Sequence, residues 1–336
     1  MKDDQDPANA IRRLIDGYQV SQAIHVAATL GIADLLADAC RTSDELAALT
    51  ATHAPTLYRM LRALASADVL RELDGHRFEL TPIGECLRSD VGDSITGWAA
   101  FIGTRSHWEA WSDLQHSVRT GENAFRHVHG IDPWTYRSTR PEEGAVFDRA
   151  MRSLSRRANA ALLAAYDFRR FRTIVDVGGG NGGLIAAVLG AYPDMHGVLF
   201  DQPHVIAAAP ALLEQAGVAD RCRIVEGNFF ESVPDGADAC LLRAVIHDWD
   251  DEDAVRILTV VRRALRSDAI LLLIEHLIGP PNEGRDAKFS DLNMLVAPGG
   301  RERTREEFEV LLAESDFRLS RVLHAGSNCV VEATPT

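Results

Sequence analysis

Apolar residues recur every three or four positions along residues 8–168, and beyond residue 170 that rhythm gives way to short continuous apolar runs. IRRLIDGYQVSQAIHVAATLGIADLLA (11–37) carries the helical spacing, with Gly31 placed to end a helix. TSDELAALTATHAPTLYRMLRALASADVL (42–70) predicts two shorter helices. Thr42 or Ser43 can cap the first, and Glu45, three residues after Thr42, completes the pattern of a capping box. LRELDGHRFELTPIGECL (70–87) predicts two short strands about an Asp74-Gly75 turn. Helices followed by such a hairpin make a winged-helix shape.

The later runs are RTIVDVG, HGVLFD, CRIVEG, DACLLRAV and AILLLIEH, spaced to leave room for crossover helices. Buried parallel strands read as continuous apolar runs of this kind. The expected fold class is therefore α/β, with a Rossmann-like doubly wound sheet. FRLSRVLHAGSNCVVEAT, near the end, predicts a hairpin about Gly-Ser-Asn that adds antiparallel strands. The expected organisation is a mainly helical winged-helix domain over 1–95, a helical connector over 96–168 and the α/β domain over 169–336. The connector carries Trp98, Phe101, Trp108 and Trp111, aromatics suited to roofing a pocket.

Composition narrows the function classes. The 336 residues are 46% hydrophobic and 25% charged, as in ordinary globular chains, and the formal net charge is −14. That balance gives no general attraction for nucleic acid or anionic membranes. No run is long enough to cross a bilayer, and MKDDQDPANAIRRLIDGYQ lacks the basic start and apolar stretch of a signal peptide. Five cysteines without a C-x-x-C suggest neither a disulfide framework nor a cysteine zinc site, so a cytoplasmic location is expected. A winged helix raises the possibility of a DNA-binding regulator, because Arg59 and Arg62 on the second helix could reach phosphates. Asp68, Glu72, Asp74 and Glu79 follow closely and favour packing or dimerisation instead.

The candidate chemistry starts at IVDVGGGNGG (174–183). Gly178, Gly180 and Gly183 fit the dinucleotide pattern G-x-G-x-x-G; Asp176, Gly178, Gly180 and Gly182 fit a pattern found where S-adenosylmethionine binds. Both ligands need glycines for the turn and for close approach. They differ in charge: a pyrophosphate is anionic, whereas a sulfonium and an ammonium are cationic beside Asp176. Asp201, ending its strand, can accept from ribose hydroxyls in either case. Asn228 and Phe229, in VEGNFFES, offer an amide and a ring to an adenine. LLRAVIHDWDDEDAVRIL (241–258) puts His247 just beyond the fourth parallel strand, where ligands bind in open α/β sheets. A histidine there is suited to taking a proton. The acids after it do not match a calcium loop, since its required glycine position is Asp253; Asp250 or Asp251 is expected to cap the next helix.

These motifs, with FDRAM (147–151), FDQPHVI, LIEHLI, DLNML and GGRERTREEFEVLL in the same order, resemble the plant-type, caffeate O-methyltransferase-like small-molecule O-methyltransferases, in their bacterial natural-product tailoring branch. The resemblance implies a class I methyltransferase sheet, S-adenosyl-L-methionine as cofactor, a homodimer formed through the N-terminal domain and a small aromatic, phenolic substrate. It implies His247 as catalytic base with Glu275 and Glu302 flanking it. Asp176, Gly178, Gly180, Asp201, Asn228, Phe229, Arg243 and Ser155 fall at cofactor-side positions, Arg243 where lysine often stands. Phe147, Met151, Asp248 and Asn293 fall on the acceptor side. No metal is implied. A member using the same cofactor on a non-oxygen acceptor, or without methyl transfer, is the alternative; a regulator and an NAD-dependent oxidoreductase stand further off.

Overall fold

The computed structural model describes residues 6–336, so residues 1–5, on which part of the signal-peptide reading falls, lie outside the described residues. The chain divides into two compact units. One runs to Glu109 and includes Thr135–Leu154; the other comprises Ala110–Trp134 and Ser155–Thr336. The stretch expected as a connector is thus shared between both units.

In the first unit, helix Gly17–Thr29 stops before Gly31, which takes φ 66°. Thr42 caps helix Ser43–Thr50: its hydroxyl accepts from the Glu45 amide and the Glu45 carboxylate accepts from the Thr42 amide, at 3.2 and 2.7 Å. Helix Ala54–Ser66 buries Leu57, Leu61 and Leu64, one face at helical spacing, against Leu46 and Phe78. Strands β1 (Arg41–Thr42), β2 (Leu70–Leu73) and β3 (Arg77–Leu80) form an antiparallel sheet in the order β1-β3-β2. The β2–β3 loop is Asp74-Gly75-His76, with Gly75 and His76 both at positive φ, so the hairpin turns in three residues rather than two. Phe101 lies edge-on to Phe147 at 5.4 Å and tilted to Trp98 at 5.8 Å, and the Arg137 guanidinium covers the Phe147 ring at 3.8 Å.

The second unit holds strands β4 (Thr173–Val177), β5 (His196–Asp201), β6 (Cys222–Glu226), β7 (Ala239–Arg243), β8 (Ile270–Glu275), β9 (Phe317–Ala325) and β10 (Asn328–Pro335). Their order is β6-β5-β4-β7-β8-β10-β9. The first five are parallel; β10 lies antiparallel to β8 and to β9. All five expected parallel strands and the terminal hairpin are present. The apolar runs are continuous because both faces are covered: Ile174, Leu199, Leu241 and Leu272 enter one core, while Val175, Val198, Cys240 and Leu273 enter the other. Chain order reverses across β4, so the carboxyl ends of β4, β5 and β7 border the switch-point crevice where ligands bind in such sheets. Residues 110–134 belong here through two anchors. Trp111 donates its indole N–H to Asn293 Oδ1 at 3.1 Å, and the Asn123 amide caps three carbonyls, of Leu295, Val296 and Ala297. Among the described residues no helix is long and apolar enough to cross a membrane.

Candidate active site

The glycine loop follows directly from β4. Gly178, Gly180 and Gly182 take φ 68°, 62° and 83°, the left-handed region that favours glycine, before helix Gly183–Ala191 starts. A Cβ on Gly178 would lie 2.7 Å from Val245 Cγ2, whereas one on Gly180 would stand in open space. The Gly180 amide donates to Asp201 Oδ2 at 2.8 Å and the Gln202 amide to Oδ1 at 2.7 Å, which holds the carboxylate at the lip of the loop. Asp176 is 1% exposed, sealed beneath the loop, and its Oδ2 has no hydrogen-bond partner. Asp176, a cofactor-side position of the sequence reading, thus forms part of the floor beneath the turn. Burial pushes its pKa up to about 7, against the pull of the Arg243 guanidinium.

Arg243 ends β7 and donates to Asn159 Oδ1, and Asn159 in turn donates to the Gly183 carbonyl at 3.0 Å. Asn159 was not singled out in the sequence, though it lies one helical turn after Ser155. Phe229 approaches within 3.7 Å of the Cβ position of Gly178 and meets Trp249 edge-on, with ring centroids 6.1 Å apart. The Asn228 side chain closes its own turn, accepting from the Phe230 amide at 3.0 Å and donating to Glu231 at 3.3 Å.

His247 sits in a short 3-10 turn, Ile246–Asp248, just after β7. Its Nδ1 lies 3.1 Å from Glu302 Oε1 and 3.3 Å from Glu275 Oε2; its Nε2 lies 3.6 Å from Asp248 Oδ1. Glu275 ends β8, and its Oε1 accepts from the amides of Val245 and Ile246 at 3.2 and 2.9 Å, tying the turn to the neighbouring strand. Glu302 is oriented by two residues that sequence reasoning missed. The Ser290 hydroxyl donates to its Oε1 at 2.7 Å, and its own amide donates to Asp291 Oδ1 at 2.9 Å. Both lie one helical turn or less from Asn293 on helix Arg285–Val296, so DLNML was the available signal. Ala244, just before the turn, adopts φ 51°, a conformation that a non-glycine residue rarely holds.

The charges explain the titration. Burial draws the His247 pKa down, but the carboxylates of Glu275, Asp248 and Glu302 outweigh it and push the value up to about 10. Burial raises Glu275 to about 7 despite the imidazole beside it. Burial also acts on Glu302, yet the hydrogen bond and charge of His247 bring it below the usual carboxylate range. Glu302 is thus the carboxylate that stays ionised next to the imidazole.

Asp250 caps helix Asp251–Ala264 by accepting from the Asp253 amide at 2.9 Å. Ser155 is half-buried on helix Pro141–Ala165, and Asn293 accepts from Trp111. Phe147 and Met151 lie on the part of that helix belonging to the first unit.

Two groups among the described residues have metal-compatible spacing. One is His247, Glu275 and Glu302; the other is Asp113, His116 and His127. In the second, the imidazole planes are stacked at 3.6 Å and 6°, so their in-plane lone pairs run parallel and do not converge on one ion.

Residues 111–318 match the family model described as O-methyltransferase domain, and residues 12–90 match the O-methyltransferase dimerisation domain. The chain belongs to the O-methyltransferase family. Phenazine O-methyltransferase PhzM of Lysobacter antibioticus is 42% identical over 329 residues, which are 98% of this chain and 96% of that protein. The crystal structure of LaPhzM matches with a TM-score of 0.94 at 42% identity, over 98% of this chain and 100% of that one. NcsB1, solved with S-adenosylmethionine and 2-hydroxy-5-methyl naphthoic acid, matches at 32% identity and TM-score 0.79, over 94% and 96%. The chain is also similar to proteins of other named activities. An 8-amino-8-demethylriboflavin N,N-dimethyltransferase of Streptomyces davaonensis is 39% identical over 92% of this chain and 89% of its own length. Aclacinomycin 10-hydroxylase RdmB of Streptomyces purpurascens is 34% identical over 96% and 88%.

Proposed function

We propose that this methyltransferase of secondary-metabolite tailoring, which uses S-adenosylmethionine, methylates a phenolic hydroxyl of a planar aromatic metabolite, with His247 taking the proton. The observation that carries the reading is the imidazole held at Nδ1 by an ionised Glu302, with Nε2 left on the opposite side.

The residues present fit the cofactor. A glycine turn over a buried, unpartnered carboxylate oxygen of Asp176 suits a cationic ligand and disfavours a pyrophosphate. Asp201 has lone pairs beyond its two amide bonds for ribose hydroxyls. Phe229, with Trp249 behind it, offers a ring face to adenine. Arg243 and Ser155 are assigned to the methionine end, where the guanidinium suits a carboxylate. Asn228 would serve adenine only on release from its own turn. When bound, S-adenosylmethionine supplies a methyl group made electrophilic by its sulfonium.

The chain's own residues supply the rest. The acceptor hydroxyl gives its proton to His247 Nε2 as its oxygen takes the methyl. The Nδ1 proton stays on the imidazole and is donated to Glu302, so the imidazolium that forms is paired at once with an ionised carboxylate. A phenol has a pKa of about 10. The three carboxylates push the imidazole up to about 10, so the neutral form that takes the proton grows as pH rises above 7. One oxygen each of Glu275 and Glu302 is already engaged by backbone amides or Ser290, and no metal is required for this step. Asp248 and Asn293 are proposed on the acceptor side from their place around the imidazole and beside Trp111. The acceptor roles of Phe147 and Met151 rest on the sequence resemblance alone.

The dimerisation domain exposes Ile11, Leu14, Ile15 and Tyr18 on its first helices, and a homodimer covering them is proposed. Arg62 lies over the Tyr58 ring at 5.3 Å, so one of the two arginines of the regulator reading is occupied in packing.

The test is to incubate the protein with methyl-labelled S-adenosylmethionine and matched phenols and arylamines. Label on oxygen is expected. Label on nitrogen alone, or substrate oxidation without label, would replace the reading with that of the N-methylating or hydroxylating relatives.

A further inference from the structure

Arg303 follows Glu302 in sequence and is fully buried, the largest side chain in the molecule's described interior to be so. A buried guanidinium is tolerated only when its charge and its five N–H donors are matched. Here each donor has an acceptor. Nε and Nη2 reach Asp251 Oδ1 at 2.9 and 2.7 Å, and Nη2 also reaches the Trp249 carbonyl at 3.0 Å. Nη1 reaches the carbonyl of Ile246 at 3.1 Å and, more loosely, that of Arg301 at 3.5 Å. The two carbonyls of Ile246 and Trp249 bracket His247 in the chain.

The same segment is pinned on its other sides. The Arg301 amide donates to the His247 carbonyl at 2.9 Å. A Cβ on Gly300 would lie 2.1 Å from that carbonyl oxygen, so only glycine lets the strands of chain approach this closely. The Ile278 amide donates to the Arg303 carbonyl at 3.0 Å, three residues beyond Glu275.

We propose that Arg303 is a positioning residue for the reaction: its guanidinium locks the turn carrying His247 to the segment carrying Glu302, and so fixes the imidazole against its carboxylate. The proposal rests on the reading of His247 as the base. The geometry explains why a buried arginine is placed beside two buried acids without forming an ion pair with either: it grips main-chain carbonyls and the first residue of helix Asp251–Ala264. Lysine keeps the charge but has three donors and no planar fork, so it cannot hold two carbonyls and a carboxylate together.

The test compares wild type, Arg303→Lys and Asp251→Asn in the full chain. It reads kcat and KM, melting temperature, and the His247 titration midpoint from its Cε1–H resonance. Arg303→Lys is expected to lower kcat by about 10²-fold through misplacement of the base, with KM for S-adenosylmethionine within about twofold. Its imidazole midpoint is expected to fall toward 6.5 as the Glu302 contact loosens. Asp251→Asn removes the anchoring charge and is expected to shift kcat and midpoint in the same direction by a smaller factor. A purely structural role predicts a lower melting temperature with kcat and midpoint as in wild type, and that outcome in the folded variants overturns the proposal. If Arg303→Lys does not fold, Asp251→Asn alone decides. A His247→Ala protein with wild-type rate would instead overturn the base reading; the midpoint in Arg303→Lys still reports on the clamp.

Discussion

Glu302 Oε1 meets His247 Nδ1 at 3.1 Å while also accepting the Ser290 hydroxyl, so one carboxylate oxygen fixes both the tautomer and the tilt of the imidazole. Fifty-five positions separate the two residues in sequence, and the contact exists because the segment 300–303 folds back over the turn after β7.

Replacing His247 by Ala is expected to reduce kcat by about 10²–10⁴-fold, the usual contribution of a positioned base. Calorimetric affinity for S-adenosylmethionine should stay within a fewfold, because the glycine loop and Asp201 do not depend on the imidazole. Equal loss of binding and rate would count against a base role.

The pH profile follows from the carboxylates around the ring. With the free-enzyme imidazole at about 10, kcat/KM should keep rising with pH well above 7, since the neutral base is scarce there. A plateau reached by pH 7 would contradict it. Stability runs the other way. The folded pKa exceeds the unfolded one, so the stabilisation from this group is fully present below about 6.5 and is lost as pH rises toward about 10. The melting temperature of wild type should therefore fall more steeply over that window than that of His247→Asn.

Glu302→Gln and Glu275→Gln separate the two acids. Each removes a negative charge from beside the ring, so each should move the kinetic pKa downward. Glu302→Gln should cost more in kcat, because Glu302 is the acid that stays ionised next to Nδ1. Glu275→Gln can keep its amide bonds from Val245 and Ile246 and should retain the fold. Equal kcat in both variants would remove the distinction.

The loop glycines should differ. At both positions alanine would meet the left-handed backbone cost of about 1–2 kcal/mol. Gly178→Ala adds a collision with Val245 and should lower the melting temperature further than Gly180→Ala. Gly180→Ala has no protein atom in the way, so its extra effect should appear in cofactor affinity. A reversal of that order by thermal melts and calorimetry would refute the placement of the cofactor over Gly180.

Asp316 takes φ 59° where the chain turns into β9. Asp316→Gly relieves that conformation and leaves the carbonyl bonds to Arg262 and Thr336 in place. A gain of about 0.5–1 kcal/mol in denaturant unfolding is expected, with activity unchanged.

The order of elements was written in the sequence, because periodicity and capping are local. The period of three to four residues in 11–37, the Thr42–Glu45 box and the five apolar runs each specify their element through neighbours close in the chain. So do the glycines of IVDVGGGNGG and the strand-end position of His247. What tertiary structure decided were relations across the chain. Asp176 became buried floor because the loop closes over it. Asn159, Ser290 and Asp291 became partners of Arg243 and Glu302 only when a helix face was fixed against the sheet edge. Arg303 is one of several charges in GGRERTREEFEVLL, and burial turned it into the hub of five hydrogen bonds. Hydrogen-bond partners and desolvation depend on distance in space, and spacing along one strand of sequence carries neither.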